Sequence, residues 1–244
     1  GVQWQINFND NIYAGKYGLN NIDTKIEVLD DSIYRIWSMT KPIIAVAALK
    51  LIEEKKINLD DPITEYLPEF NDLQVMVLED GVIEDVEKIK QFPTIKDLFL
   101  HTAGFSYNFL ADPVGKYYDQ LRLFNSDTTT LEEEIKILVK APLLFQPRKS
   151  WRYSVSMDVL ARIIEIVTGD SLQNILQKEI FNPLEMRDTA FSVSLEKQYK
   201  VMASYEYDPI KNNLSELIPD PQKIGNYGYP LHASSYARGG HGLF

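Results

Sequence analysis

The 244-residue sequence contains no cysteine, which excludes disulfide bonds and thiolate catalysis. It has no block of basic residues, and its formal net charge of −10 argues against nucleic acid as a partner. No apolar run approaches the roughly 18–20 residues of a membrane span. Only three histidines occur, His101, His232 and His241, which argues against a histidine-rich metal cage.

The apolar content of 45% is ample for a hydrophobic core, and 244 residues can form one large domain or two intertwined ones. The first residue is Gly1 rather than methionine and no signal peptide is recognisable, so we expect the natural start to lie upstream. No pattern in the sequence predicts an oligomeric state or a cellular compartment.

The motif around which the chain is organised is Ser38-Met39-Thr40-Lys41, with the apolar run 42–52 directly after it. Ser38 and Lys41 share one face of the first helical turn, so that the lysine amine lies beside the serine hydroxyl. A serine hydroxyl needs a neighbouring base to become a nucleophile, and a lysine amine can be that base. Backbone N–H groups at a helix start can also stabilise an oxyanion. The alternative is that Ser38 is an ordinary helix N-cap.

The same spacing recurs as Ser194-Leu195-Glu196-Lys197, so the spacing alone is weak evidence. The two motifs differ in the residues on their C-terminal side. Residues 42–52 contain a single charge, at Lys50, which predicts a helix buried on all sides. The run after Ser194 is polar instead. We therefore expect Ser38, and not Ser194, to be the reactive serine.

Alternation of polar and apolar residues predicts half-buried strands over 2–8 and 12–18, and a third short strand over 33–36 leads into Ser38. Capping signals and apolar periodicity predict helices that end at glycine or proline. These helices span 38–52, 95–100 (with Gly104 as its C-cap), 130–139, 157–168 and 172–180. A small hairpin is predicted over 73–82, turning at Asp80-Gly81.

The order of these elements predicts three regions. Residues 1–56 form the first part of a sheet-and-helix domain that includes the nucleophile helix. Residues 57–200 form a mostly helical insert domain. Residues 201–244 form a loop and an incomplete return to the sheet domain.

Two further segments could carry chemistry. Tyr153, just ahead of the 157–168 helix, can act as a general base if it lies beside the serine–lysine pair, because a nearby cation assists loss of a phenolic proton. A plain core or surface aromatic is the alternative, since the chain has 14 tyrosines. Gly239-Gly240-His241-Gly242 lacks the phosphate-binding pattern and is interpreted as a tight turn before another helix.

Four blocks succeed one another along the chain: Tyr34–Lys41 (YRIWSMTK), Asn58–Glu69 (NLDDPITEYLPE), Thr94–Gly104 (TIKDLFLHTAG) and Tyr153–Val155 (YSV). In this order they resemble the class C β-lactamase-like serine hydrolases, a group that contains penicillin-binding peptidases, class C lactamases and esterases of the same fold. The resemblance implies an α/β (α+β) two-part β-lactamase/transpeptidase-like fold, with an antiparallel sheet flanked by helices and a mostly helical insert domain.

The resemblance also implies roles for individual residues. Ser38 is the acylated nucleophile, Lys41 activates it, and Tyr153 shuttles the proton. His101 and Gly104 match a block that is structural in the family. No metal or organic cofactor is implied.

The resemblance predicts that the sequence is truncated at both ends. The helix that precedes the family's first strand has no counterpart here. Gly239–Phe244 is similar to a glycine-rich helix entry, and the family's third catalytic motif, whose strand supplies the second oxyanion N–H, is expected beyond Phe244.

At Val155, lactamases and peptidases of this family carry asparagine, which holds the amide of their substrate. Valine offers no hydrogen bond, so the esterase branch is favoured. The resemblance then implies a carboxylesterase or transesterase that acts on a small-molecule ester through an acyl-enzyme. A D-alanyl-D-alanine peptidase or class C β-lactamase acting on an amide is the alternative, and a non-catalytic ligand-binding relative is the second. Aromatic residues near the motifs are expected to line the substrate pocket with Val155, although each could equally pack in the core: Trp37, Phe105, Tyr107 and Trp151.

Overall fold

The computed structural model of the protein describes residues 1–124, 129–217, 231 and 237–244. Within these ranges, none of the helices has the length and apolar character needed to cross a bilayer. The middle of the predicted return segment 201–244, including His232, lies outside the described residues.

Helices and short antiparallel ladders alternate along the chain, in agreement with the predicted α/β class. The α-helices are α1 (Thr40–Glu53), α2 (Ile95–Leu100), α3 (Pro113–Gln120), α4 (Leu131–Leu138), α5 (Ser156–Thr168) and α6 (Leu172–Leu176). The strands are β1 (Val2–Phe8), β2 (Asn11–Tyr17), β3 (Leu19–Asn21), β4 (Ile26–Glu27), β5 (Gln74–Met76), β6 (Val86–Lys88), β7 (Tyr205–Asp208) and β8 (Asn213–Glu216). Each strand pairs with its neighbour in sequence, which gives four separate two-stranded antiparallel sheets among the described residues.

The first hairpin, β1 with β2, forms as predicted. Its register runs from Val2 opposite Tyr17 to Phe8 opposite Asn11, and the turn between the strands uses positive φ angles. The predicted half-burial is wrong, because both faces of β1 are exposed. In the described part of the chain, no element covers the apolar side of this hairpin.

The predicted strand over 33–36 is wrong. Ile33 makes one isolated parallel bridge, to Val201, and the Ile36 N–H donates to the Leu243 carbonyl at 3.0 Å. Because the two ends of the segment bond to different parts of the chain, no ladder forms. The segment nevertheless runs directly into Ser38, as expected.

Helix α1 is buried on one side only, which corrects the prediction of burial on all sides. Ile44, Ala48 and Leu51 pack in the core, whereas Val46 and Leu49 are about half exposed, at 48% and 50%. A helix that is apolar on every face has no periodicity to show which face packs inward. The exposed side of α1 could therefore not be recognised from its residues.

Local capping signals predicted helix starts well. Thr94 and Asp97 form a capping box at the start of α2, and Thr130 and Glu133 form another at the start of α4. Helix α5 ends at Gly169, whose φ of +71° is left-handed, as predicted.

The C-cap of α2 differs from the prediction. His101, with φ 55°, is the left-handed residue that ends this helix. Gly104 also has a positive φ, of +95°, but it lies further on, where a Cβ would overlap the Phe145 carbonyl oxygen. Position 104 therefore requires glycine because the backbone of Phe145 comes close to it, and not because it caps α2.

Other elements differ in extent. The predicted hairpin pairs β5 with β6, so its connection is longer than a turn at Asp80-Gly81. The helix predicted over 172–180 is α6 with a π-helical turn, Gln177–Phe181, after it. Helix α3 was missed, although Asp112 as N-cap and Pro113 at the first position were available signals.

Helix α5 lies at the centre of the helical core. It packs against α1, α2, α4 and α6, and most of its residues are buried. The short loop before α5, which contains Tyr153, is thereby brought to the start of α1. This packing places the proposed proton shuttle next to the serine motif.

Candidate active site

Ser38 lies in a one-turn 3₁₀ helix, Trp37–Met39, immediately before α1. Trp37 has a φ of 47°, a strained conformation for a bulky residue, so the backbone turns sharply just ahead of the serine. The N-cap position of α1 is taken by Met39, with no side-chain capping bond. The N-cap interpretation of Ser38 is therefore wrong, and its hydroxyl bonds to other side chains.

Tyr153 and Lys41 both contact the Ser38 hydroxyl. The Tyr153 hydroxyl donates to Ser38 Oγ at 2.5 Å, and Lys41 Nζ donates to the same oxygen at 3.2 Å. The sequence predicted this approach of positions 38 and 153, and the geometry confirms it. Distances in this range allow direct proton transfer.

Lys41 is held firmly beside the serine. Its side chain is buried, and Nζ donates to the Gly240 carbonyl at 2.7 Å. The ammonium also lies 4.6 Å from the ring centroid of Tyr153 and 5.2 Å from that of Tyr107. Electrostatic attraction to both ring faces adds to the hydrogen bonds in fixing the amine.

His101 lies behind the tyrosine. Its ring centroid is 5.1 Å from that of Tyr153, and Nδ1 is 3.1 Å from Ser154 Oγ, which in turn bonds to Ser156. Burial, and then the charge of Lys41, lowers the pKa of His101 to about 4. A neutral imidazole is thus packed against the phenol ring of Tyr153.

The glycine-rich segment joins the site, which the sequence interpretation of a plain turn did not predict. Besides the bond from Lys41 to Gly240, the Gly240 N–H donates to Asp158 Oδ1 at 3.0 Å. A Cβ on Gly239 would overlap the Met157 carbonyl oxygen. The paired glycines could have signalled such a close backbone approach.

Asp158 is the second residue that the sequence did not single out. It lies in the first turn of α5 and is fully buried. Burial raises the pKa of its carboxyl, while the Gly240 N–H and then the charges of Lys41 and Arg238 act in the opposite direction. Because Arg162 and Glu165 follow it on the same face of the helix, no feature of the sequence signalled that Asp158 would be buried.

Two of the five predicted pocket residues are exposed enough to meet a ligand. Trp151 is 63% exposed and contacts His101 edge-on. Trp37 is half-buried and stacks on His241, with ring centroids 6.4 Å apart. Tyr107 is buried, with its ring 5.3 Å from that of Tyr153.

The other two predicted pocket residues, like Tyr107, lie in the core. Phe105 is 1% exposed and packs edge-on against Phe70. Val155 is fully buried, and its N–H donates to the Ser106 carbonyl at 3.1 Å. The prediction that Phe105 and Val155 line the pocket is wrong, because neither side chain has surface that a ligand could contact.

The second serine–lysine motif has no such geometry. Ser194 is exposed, and Lys197 Nζ bonds to the Asp188 carboxylate at 2.5 Å instead of to the serine. The surrounding 3₁₀ helix, Leu195–Lys200, contains no buried residue. The serine–lysine spacing at 194–197 therefore does not bring the two side chains together as it does at Ser38 and Lys41.

Comparison with known proteins gives a consistent result. The sequence profile of the Beta-lactamase family matches residues 6–242. Esterase EstB of Burkholderia gladioli is 30% identical over 243 residues, which cover 96% of this chain and 59% of EstB. The lovastatin esterase of Penicillium rubens is 31% identical over 241 residues, which cover 95% of this chain and 56% of that protein.

Solved structures show the same fold. EstCE1, a hydrolase with promiscuous acyltransferase activity, superposes with a TM-score of 0.75 at 26% identity, covering 95% of this chain and 60% of EstCE1. The chain thus spans less than two thirds of the length of these relatives. The β-lactamase/transpeptidase-like fold expected from the four sequence blocks is confirmed, and the chain belongs to the Beta-lactamase family.

Proposed function

We propose that this protein is a serine hydrolase that cleaves small-molecule esters through an acyl-enzyme on Ser38. One observation supports this above all others: the Ser38 hydroxyl is within hydrogen-bond distance of both the Tyr153 hydroxyl and the Lys41 amine. A hydroxyl with two adjacent groups that can exchange protons has the arrangement of an activated nucleophile.

In the acylation step, Tyr153 acts as a phenolate whose negative charge is stabilised by the Lys41 ammonium, and Ser38 Oγ attacks the ester carbonyl carbon while the serine proton passes to the phenolate oxygen. The tetrahedral oxyanion is stabilised by the Ser38 N–H at the start of the helix. Collapse of the intermediate breaks the bond to the alcohol, which leaves with the proton held by Tyr153. The product is an ester between the acyl group and Ser38.

In the second step, water attacks the acyl-enzyme and the same groups act in reverse, since Tyr153 takes a proton from the water and returns it to Ser38. An alcohol in place of water would give acyl transfer. The description of EstCE1 as a hydrolase with acyltransferase activity supports testing that acceptor.

Esters are preferred over lactams and peptides as the proposed substrates. The relatives EstB and the lovastatin esterase are named as esterases. The resemblance places an asparagine that holds the substrate amide at position 155, and the buried Val155 of this chain offers a substrate no hydrogen bond. A peptide or lactam would therefore lose a partner for its own amide.

The test is intact-mass analysis of the full-length protein after exposure to a fluorophosphonate, combined with peptide mapping and with assays on a short-chain aryl ester and a chromogenic cephalosporin. We expect one adduct, on Ser38, and much faster turnover of the ester. Ser38→Ala should abolish both labelling and turnover. Ser194→Ala is the matched control and should leave both unchanged.

The alternatives give different results. Comparable efficiencies with the cephalosporin and the ester would favour the lactamase or peptidase branch. Absence of an adduct on Ser38 at high probe concentration would favour a non-catalytic ligand-binding relative. An adduct on Ser194 would overturn the assignment of the nucleophile.

A further inference from the structure

The segment 237–244, which contains Gly240, is held on its N-terminal side by a buried ion pair. Arg238 is fully buried, and its Nη2 lies 3.3 Å from Glu134 Oε1 on α4 and 2.9 Å from the Thr129 carbonyl. Glu134 also accepts the Phe124 N–H at 2.8 Å. A charge this deeply buried holds its position only when it is paired and hydrogen-bonded.

A second buried acid anchors the segment next to the reactive groups. Asp158 Oδ1 accepts the Gly240 N–H, and the Gly240 carbonyl accepts from Lys41. One glycine residue therefore connects a carboxylate of α5 to the amine of α1. The Gly240 N–H and the Gly240 carbonyl belong to adjacent peptide planes that meet at the Gly240 Cα, so a bond that holds the N–H also holds the point from which the carbonyl extends.

The contact is tight enough to fix the carbonyl. A Cβ on Gly240 would lie 2.6 Å from Asp158 Oδ2 and would overlap the Tyr107 hydroxyl. Only glycine allows the backbone to approach the carboxylate this closely. The position of the carbonyl that binds Lys41 thus depends on the Asp158 side chain.

We propose that Asp158 is a positioning residue for catalysis: by accepting the Gly240 N–H, it holds the Gly240 carbonyl where that oxygen fixes the Lys41 amine against Ser38. This inference rests on the proposed serine hydrolase function. Asp158 does not contact the substrate and acts through Gly240. Loss of its hydrogen bond loosens Lys41 and slows the chemical step, while substrate binding is unaffected.

The test compares three substitutions of Asp158 in the full-length protein. D158N keeps a side-chain oxygen that can accept the Gly240 N–H. D158L and D158A remove the acceptor, one keeping the volume and the other leaving space, so the loss can be measured even if one of the two does not fold. Asp97→Asn is the matched control, since Asp97 is also a buried carboxylate with backbone and ion-pair partners but lies in the α2 capping box.

Each variant is assayed for kcat and KM on an aryl ester, with kcat expressed per site labelled by fluorophosphonate, so that unfolded protein is not counted. We expect D158L or D158A to lower kcat by about 10–100-fold, the scale of a misplaced catalytic group, with KM within about 2-fold. D158N should recover most of the lost kcat. The control should lower stability without changing kcat per labelled site.

The outcomes separate this inference from the proposed function. If wild-type protein neither labels at Ser38 nor cleaves the ester, the proposed function fails and the role of Asp158 falls with it. If wild-type protein is active and D158L or D158A has normal kcat per labelled site, only the positioning role is overturned. An equal loss of kcat in D158N and D158A would also overturn it, because a hydrogen bond to Gly240 would then not be the cause.

Discussion

The hydroxyl of Tyr153 lies 2.5 Å from that of Ser38, although 115 residues separate them in the chain. The Tyr153 ring also lies against the Lys41 ammonium. This geometry is the basis of the role proposed for Tyr153 in accepting the serine proton.

Replacing Tyr153 with phenylalanine should therefore remove catalysis while keeping the packing of the ring. We expect kcat to fall by about 10²–10⁴-fold, the usual contribution of a positioned acid–base group. Tyr207→Phe is a suitable control, because Tyr207 bonds to Asn212 on an exposed hairpin. Steady-state kinetics on an aryl ester measure the effect, and a Tyr153→Phe enzyme with normal kcat would exclude the tyrosine from proton transfer.

Replacing Val155 with asparagine should destabilise the protein rather than create an amide-binding site. The position is fully buried, and an unsatisfied buried amide costs about 1–3 kcal/mol. Val46→Asn, on the exposed side of α1, should cost much less. Urea unfolding of both variants measures the difference. Increased cephalosporin turnover by Val155→Asn, with stability unchanged, would show that the side chain reaches the substrate.

The buried pair Arg238–Glu134 should contribute strongly to the free energy of unfolding. Replacing Glu134 with glutamine removes the negative charge that faces the buried guanidinium, and breaking a buried ion pair costs about 3–5 kcal/mol. Lys136→Gln removes one partner of an exposed pair with Glu132 on the same helix and should cost about 0.3–0.5 kcal/mol. Equal unfolding midpoints for the two variants would contradict the importance of the buried pair.

His101 should make the protein less stable in mild acid. In the unfolded chain its pKa returns to about 6.5, whereas burial and Lys41 lower it to about 4 in the fold. Between these values the unfolded state binds a proton that the folded state does not. The contribution is therefore fully present above about pH 6.5 and is lost progressively as the pH falls toward 4.

His101→Asn tests this dependence, because asparagine tolerates the left-handed backbone of position 101 and can still bond to Ser154. We expect wild type to lose stability relative to the variant as the pH falls from 7 to 4. Denaturant midpoints at several pH values measure the difference. A constant difference across this range would mean that the pKa of His101 is the same in the folded and unfolded states.

Features determined by neighbouring residues could be predicted from the sequence. The capping boxes at Thr94 and Thr130 depend on side chains three positions apart, and the pairing of Ser38 with Lys41 depends on one helical turn. The order of the four sequence blocks also allowed the fold and the position of Tyr153 beside Ser38 to be predicted, because a set of ordered motifs is far more specific than any single motif.

Features determined by the backbone of distant segments could not be predicted. The partner of Lys41 is the carbonyl oxygen of Gly240. The paired glycines could signal a close backbone approach, but because every residue has a carbonyl, they could not show which side chain the backbone approaches. The same holds for the Gly240 N–H that Asp158 accepts. Burial of Val155 could not be predicted either, since a valine fits a pocket wall and a core equally well.

The contact between Lys41 and Gly240 joins positions 199 residues apart in the chain. Proteins emerge from the ribosome N-terminus first, so the serine motif is synthesised well before the carbonyl that fixes its lysine. Until the segment that carries Gly240 docks, a nascent chain contains the nucleophile without the contact that holds its base in place. Reactivity of the serine would then appear only after this segment has been synthesised and has docked on Lys41.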